Sequence, residues 1–173
     1  MKKLAIISIA SLALFGCKTS AIKENFNSTF NLDEVSFIKE DGTNTITGNA
    51  FLRQRGGGVV TCAGENITLY PVTDYSSERM QYLYGSTKHG YNSAASLNTR
   101  LIDFSSTPDS YFTMTRSTIC DSDGRFKLTE VPDGEYFVTA TVLWVVKNTQ
   151  GGYLMEKVSV SGGEIKDLII THK

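Results

Sequence analysis

The stretch CDSDGRFKLTEVPDGEYFVTATV, residues 120–142, decides how the chain folds. Its Asp121-Ser122-Asp123-Gly124 segment has the composition of a calcium loop and equally that of a tight turn. An EF-hand loop takes oxygen ligands at positions 1, 3 and 5, glycine at 6 and a bidentate acid at 12. With Gly124 at position 6, Asp121, Asp123 and Glu130 fall at 3, 5 and 12, but position 1 is Ile119, which has no side-chain oxygen. The residues that follow alternate as a strand, where an EF-hand continues as a helix. Asp-Gly between two alternating runs is a hairpin signal. Glycine supplies the positive φ and aspartate bonds the local backbone. Asp133-Gly134 repeats the device further on. The segment therefore reads as a turn, the alternative being a calcium loop with a different ligand set.

Working outward, period-two alternation dominates the chain. Thr45–Leu52 places Ile46, Gly48, Ala50 and Leu52 on one face, and Asn66–Val72 does the same with Ile67 and Leu69, Pro71 marking an edge or strand end. Tyr111–Arg116 groups Phe112 with Met114, and Arg125–Val131 groups Phe126 with Leu128. Glu135–Val146 is the strongest strand, with Tyr136, Val138, Ala140, Val142, Trp144 and Val146 on one face and Thr139 and Thr141 opposite. Tyr153–Ser161 and Glu164–Thr171, joined at Ser161-Gly162-Gly163, complete seven strands, with Phe30–Ile38 a weaker candidate. The clearest helix is Tyr75–Tyr84 behind a cap at Asp74. The expected fold is an all-β Greek-key sandwich with one long, partly helical insert over about residues 73–110.

Ser122-Asp123-Gly124-Arg125-Phe126-Lys127-Leu128 followed by Val131-Pro132-Asp133-Gly134-Glu135-Tyr136 resembles the carboxypeptidase regulatory-like domain, which runs D-x-x-G-x-F and then L-P-x-G-x-Y into a long strand. Ile46-Thr47-Gly48 and Ile67-Thr68-Leu69 resemble that family's first two strands, so the likeness spans roughly residues 44–171. It implies a transthyretin-like (prealbumin-like) sandwich of about seven strands and a non-catalytic module. It is nearly silent on ligand. The long insert and the cysteine pair depart from the family pattern. Tyr136 is placed to bond a backbone carbonyl near the corner, in the manner of a tyrosine corner.

The N-terminus reads as a targeting signal. Met1-Lys2-Lys3 precedes an apolar run, Leu4–Phe15, too short to span a bilayer. Leu14-Phe15-Gly16-Cys17 resembles the bacterial lipobox. That likeness implies a signal peptide over residues 1–16 and lipidation of Cys17, with acyl chains anchoring the protein. Lys18 replaces the aspartate that commonly retains lipoproteins in the inner membrane, which by the same resemblance favours the outer membrane. Residues 17–30 then form the lipidated cysteine and a polar tether, and residues 31–173 the sandwich.

With Cys17 given to lipid, Cys62 and Cys120 read as one disulfide in an oxidising compartment, the alternative being two buried thiols. Loss of the signal removes two lysines and no acid, moving the net charge from −1 to −3 and arguing against a nucleic-acid partner. His89 and His172 stand far apart without acidic partners at motif spacing, so no metal or cofactor is assigned. No nucleophile elbow or phosphate loop is present, and a non-enzyme is expected. The insert carries Tyr75, Tyr82, Tyr84 and Tyr91 among Ser, Asn and Gly, a composition favoured in recognition loops and equally compatible with packing. Trp144 reads as core or rim. The leading expectation is an envelope lipoprotein that binds or scaffolds another envelope protein through these tyrosines. The alternatives are a carbohydrate-binding accessory sandwich and a structural subunit of a larger secretion or envelope complex.

Overall fold

The computed structural model describes residues 22–23, 26–95, 102–103 and 107–172, with backbone alone at 22–23 and 102–103. The signal-like segment and Cys17 lie outside the described residues. In chain order the elements are β1 (Ile22–Lys23), α1 (Leu32–Val35) with a 3₁₀ turn (Ser36–Lys39), β2 (Asn44–Arg53), β3 (Val59–Thr61) and β4 (Asn66–Pro71). Helix α2 (Asp74–Tyr84), β5 (His89–Ser93), β6 (Ile102–Asp103) and α3 (Asp109–Thr113) follow. The chain ends with β7 (Arg116–Ile119), β8 (Arg125–Val131), β9 (Gly134–Val145), β10 (Thr149–Val160) and β11 (Ile165–Ile170).

Two sheets form an all-β sandwich. The first has the order β5-β10-β9-β4-β7, all antiparallel. In the second, β2 pairs in parallel with β11 on one edge and antiparallel with β8 and β3. The chain changes sheet between β3 and β4, β7 and β8, β8 and β9, and β10 and β11. Both Asp-Gly turns therefore cross between sheets, where hairpins had been expected.

The alternation fills the space between the sheets. Ile46, Ala50, Ile67, Leu69, Val138, Val142 and Leu154 are fully or almost fully buried in one cluster. At the β7–β8 crossing, Asp121 Oδ1 accepts from the N–H groups of Asp123 (2.9 Å) and Arg125 (2.8 Å), and Gly124 takes φ +76°. The Cys62–Cys120 disulfide pins the same crossing to the end of β3, with Cα atoms 5.8 Å apart. At the β8–β9 crossing, the buried Tyr136 hydroxyl donates to the Pro132 carbonyl (2.9 Å), the tyrosine corner expected from the motif. Buried Asn44 fastens this corner to the last crossing. Its Nδ2 donates to Val131 O (2.9 Å) and Asp133 Oδ1 (2.8 Å), and its Oδ1 accepts from Gly163 and Glu164.

Helix α2 covers part of the outer face of the first sheet. Its cap is Thr73, one residue before the expected Asp74, in a reciprocal capping box with Ser76. Gly85 ends it at φ 71°. Met80 packs on Phe137 and Met155 as a second core outside the sandwich.

Three local expectations are corrected. Phe30–Ile38 is not a strand: Asn31 caps α1, and Val35 and Ile38, three apart, share a buried helical face. Tyr111–Arg116 is not a strand either. It begins in α3, which buries Tyr111 and leaves Phe112 half exposed, and the strand starts only at Arg116. The insert supplies a strand of its own, β5, on the edge of β10. With β5 and the three-residue β3, the two sheets hold nine strands.

Candidate functional site

The outer face of the first sheet carries side chains that alternate away from the core: Asn66 and Thr68 on β4, Thr139 and Thr141 on β9, and Tyr153 on β10. Helix α2 shields only the Phe137 and Met155 part of this face. Beside it the threonines and Tyr153 floor an open cleft of about 340 Å³. One wall is Arg79, Met80, Leu83 and Tyr84 of α2, and the other Tyr111 and Phe112 of α3.

The aromatic wall is fixed by mutual packing. Tyr70 stacks on Tyr111 with centroids 5.2 Å apart and planes at 20°, and Phe112 meets Tyr111 edge-on at 5.3 Å. The Arg79 guanidinium lies 4.6 Å over the Tyr111 ring, and its Nη1 donates to Thr107 Oγ1 (2.8 Å). Burial raises the phenols of Tyr84 and Tyr111 well above the ordinary value; Arg79 partly offsets this at Tyr111. Burial also raises Tyr70, again against Arg79. All three are neutral at ordinary pH and can donate a hydrogen bond. The cleft thus sets neutral hydroxyls against the half-exposed Phe112 ring, with Glu65 as the one carboxylate among its described lining residues.

The segment before α1 is held against the same helix. Glu78 accepts from Asn27 N (2.7 Å) and from the Ser28 hydroxyl (2.8 Å). Phe26 and Phe30 pack edge-on against Tyr75 at 5.6 and 5.7 Å. Part of the stretch read as tether is therefore docked on the sandwich.

The four tyrosines singled out from the sequence do not form one surface. Tyr75 is buried beneath Phe26 and Phe30, and Tyr82 packs on Phe26 at 6.3 Å. Tyr84 lines the cleft. Tyr91 lies on the other face of the first sheet, stacked on His172 at 4.4 Å, with its hydroxyl donating to Gly151 O (2.9 Å). Among the cleft residues that sequence reasoning missed are Thr68, Thr139, Thr141, Tyr153, Arg79 and Phe112. The threonines carried a signal, since they alternate opposite the core face. Among the described residues, no three His, Cys, Asp or Glu side chains gather as metal ligands, and no helix is long and apolar enough to cross a membrane.

Neither a protein-family model nor a curated protein matches the chain. Among solved structures, the chain resembles the crystal structure of a Pseudomonas aeruginosa protein described as a candidate carbohydrate-binding protein. The TM-score is 0.68 at 21% identity, over 84% of this chain and 99% of that one. At that identity the likeness shows a shared sandwich fold.

Proposed function

We propose that the chain is a non-catalytic, lipid-anchored module of a bacterial envelope that binds carbohydrate in the cleft beside α2. The observation that carries this reading is the cleft's amphipathic construction. A saccharide ring has apolar C–H faces and a rim of hydroxyls. Phe112 offers a half-exposed ring backed by the buried Tyr111, while Thr68, Thr139, Thr141 and Tyr153 offer hydroxyls on a rigid sheet. Hydroxyls donate and accept, as a polyol's do, and Thr139, whose Oγ1 donates to Thr68 O (3.3 Å), is left to accept. Fold likeness to a protein described as a candidate carbohydrate binder agrees with this.

The non-catalytic part rests on the same lining. Glycosidic hydrolysis ordinarily takes a pair of carboxyl groups flanking the bond, and Glu65 is the one carboxylate among the cleft's described lining residues. Anchoring at Cys17, and with it outer-membrane residence, rests on the lipobox resemblance at Leu14–Cys17. The double-turn resemblance to carboxypeptidase regulatory-like domains accords with a binding module. An envelope-protein partner docked through the four insert tyrosines has less support, because Tyr75 is buried and Tyr91 lies on another face.

The test is a glycan array probed with the whole chain in detergent, followed by NMR mapping of any bound glycan. Shifts confined to Thr68, Thr139, Thr141 and Tyr153 support the cleft. An array without hits, or shifts elsewhere only, refutes it.

A further inference from the structure

We infer a second ligand site, for an acidic saccharide, at the open end of the sandwich. Here the β2–β3 turn meets the β9–β10 hairpin around a groove of about 430 Å³, within the range of small-ligand pockets. It lies on the opposite side of the first sheet from the cleft: Trp144 continues the inward-facing row of Tyr136, Val138, Ala140 and Val142 past the end of the core, and Tyr91 faces the same way from β5.

Charge names the ligand's sign. Arg53 and Arg55 line the groove, and no Asp or Glu is among its described lining residues, although the chain as a whole carries a net charge of −1. Both arginines are exposed, Arg53 at the end of β2 and Arg55 in the turn closed by Gln54 N–H to Gly58 O (2.8 Å) and Gly57 N–H to Gln54 O (2.9 Å). Guanidinium groups recognise carboxylates in bidentate geometry.

The other wall names the body of the ligand. Trp144 is partly exposed and held in place: its Nε1 donates to Gln150 Oε1 (3.2 Å), and the backbone at Gly151 lies against its ring. Tyr91 is fixed by its bond to Gly151 O and its stack on His172. These preorganised rings are bordered by the amides and hydroxyls of Gln54, Gln150, Thr149 and Ser93. A ring with C–H faces, a hydroxyl rim and a carboxylate, that is a uronate saccharide, satisfies the rings, the rim and the arginines together.

Trp144 is the chain's one tryptophan, so its fluorescence reports on this groove directly. The whole chain would be titrated with oligogalacturonate, with a neutral oligosaccharide of the same length, and with inorganic phosphate. A saturable change with oligogalacturonate is expected, weakened by salt. It should be about tenfold or more weaker with the neutral sugar and in the R53Q/R55Q variant, whose circular dichroism should match wild type. No saturable change, insensitivity to R53Q/R55Q, or equal affinity for phosphate alone would overturn the proposal. The Phe112→Ala variant separates the sites: an intact Trp144 titration there is expected whether or not the cleft binds glycan. Loss of that titration in a folded Phe112→Ala protein would contradict a distinct site.

Discussion

The Tyr136 hydroxyl and the Pro132 carbonyl, four residues apart, meet at 2.9 Å inside the corner that carries the chain from β8 to β9. The bond sets the direction in which the longest strand leaves the turn. Burial pushes the phenol up to about 12, with Arg116 opposing the shift and Asp133 adding to it.

Tyr136→Phe removes this donor and leaves the Pro132 carbonyl without it, an expected loss of about 1–2 kcal/mol in denaturant unfolding. The raised folded-state value fixes the sign of the pH effect. The neutral phenol's contribution is complete below its ordinary value of 10.0 and is lost as pH rises from there towards about 12. Wild type should lose stability over that alkaline window by a step that Tyr136→Phe lacks.

The disulfide joins residues separated by 58 positions and holds the β3 end to the β7–β8 crossing. Chain entropy in the unfolded state sets its worth, on the order of 2–4 kcal/mol. Cys62→Ala with Cys120→Ala should lower stability by that amount, measured by denaturant unfolding. An unchanged midpoint would show that the backbone bonds at Asp121 hold the crossing alone.

Glu78 latches residues 26–30 to α2. The Ser28 hydroxyl first, then the N–H groups of Asn27 and Ser28, hold its carboxyl below the ordinary 4.5, against opposing desolvation. A depressed acid contributes above its unfolded value and loses that contribution as pH falls through the folded one. Amide exchange at Asn27 and Ser28 should therefore accelerate relative to the core only on acidification below about pH 4.5. Glu78→Gln should show the faster exchange already at neutral pH.

Gly151 has φ +89°, and a β-carbon there would stand 2.1 Å from Val142 O and 2.7 Å from the Trp144 ring. Gly151→Ala should cost about 2 kcal/mol or more. It should also displace the indole, seen as a red shift of the single tryptophan's emission.

Where a residue's fate was set by its immediate neighbours in sequence, it was legible. The inward rows of β2, β4 and β8, and that of β9 as far as Val142, alternate in the sequence and are buried in the fold; Trp144 is only partly covered, and Val146, expected on the same face, lies beyond the strand and exposed. The corner at Pro132–Tyr136 could be read from the motif alone. Long-range packing decided the rest. Tyr111 belongs to a helix because its ring lies against Tyr70, Tyr75 and Arg79 from two distant elements. The His89–Ser93 stretch, HGYNS, has no apolar alternation, and it becomes a strand because β10 offers a free edge for its backbone. The cleft draws on β4, β9, β10, α2 and α3 at once. The opposite-face threonines 139 and 141 were visible, but their juxtaposition with Phe112 and Tyr153 was not.

The cleft's role is tested most directly by calorimetric titration of the best-bound array glycan into wild type, Phe112→Ala and Thr141→Val. Phe112 is half exposed and Thr141 points out of the sandwich core, so both variants should keep the fold. Saturable binding by wild type is expected, with each variant weaker by about 1–2 kcal/mol, roughly tenfold. Equal affinity across all three proteins, or no glycan bound by wild type, would contradict the account.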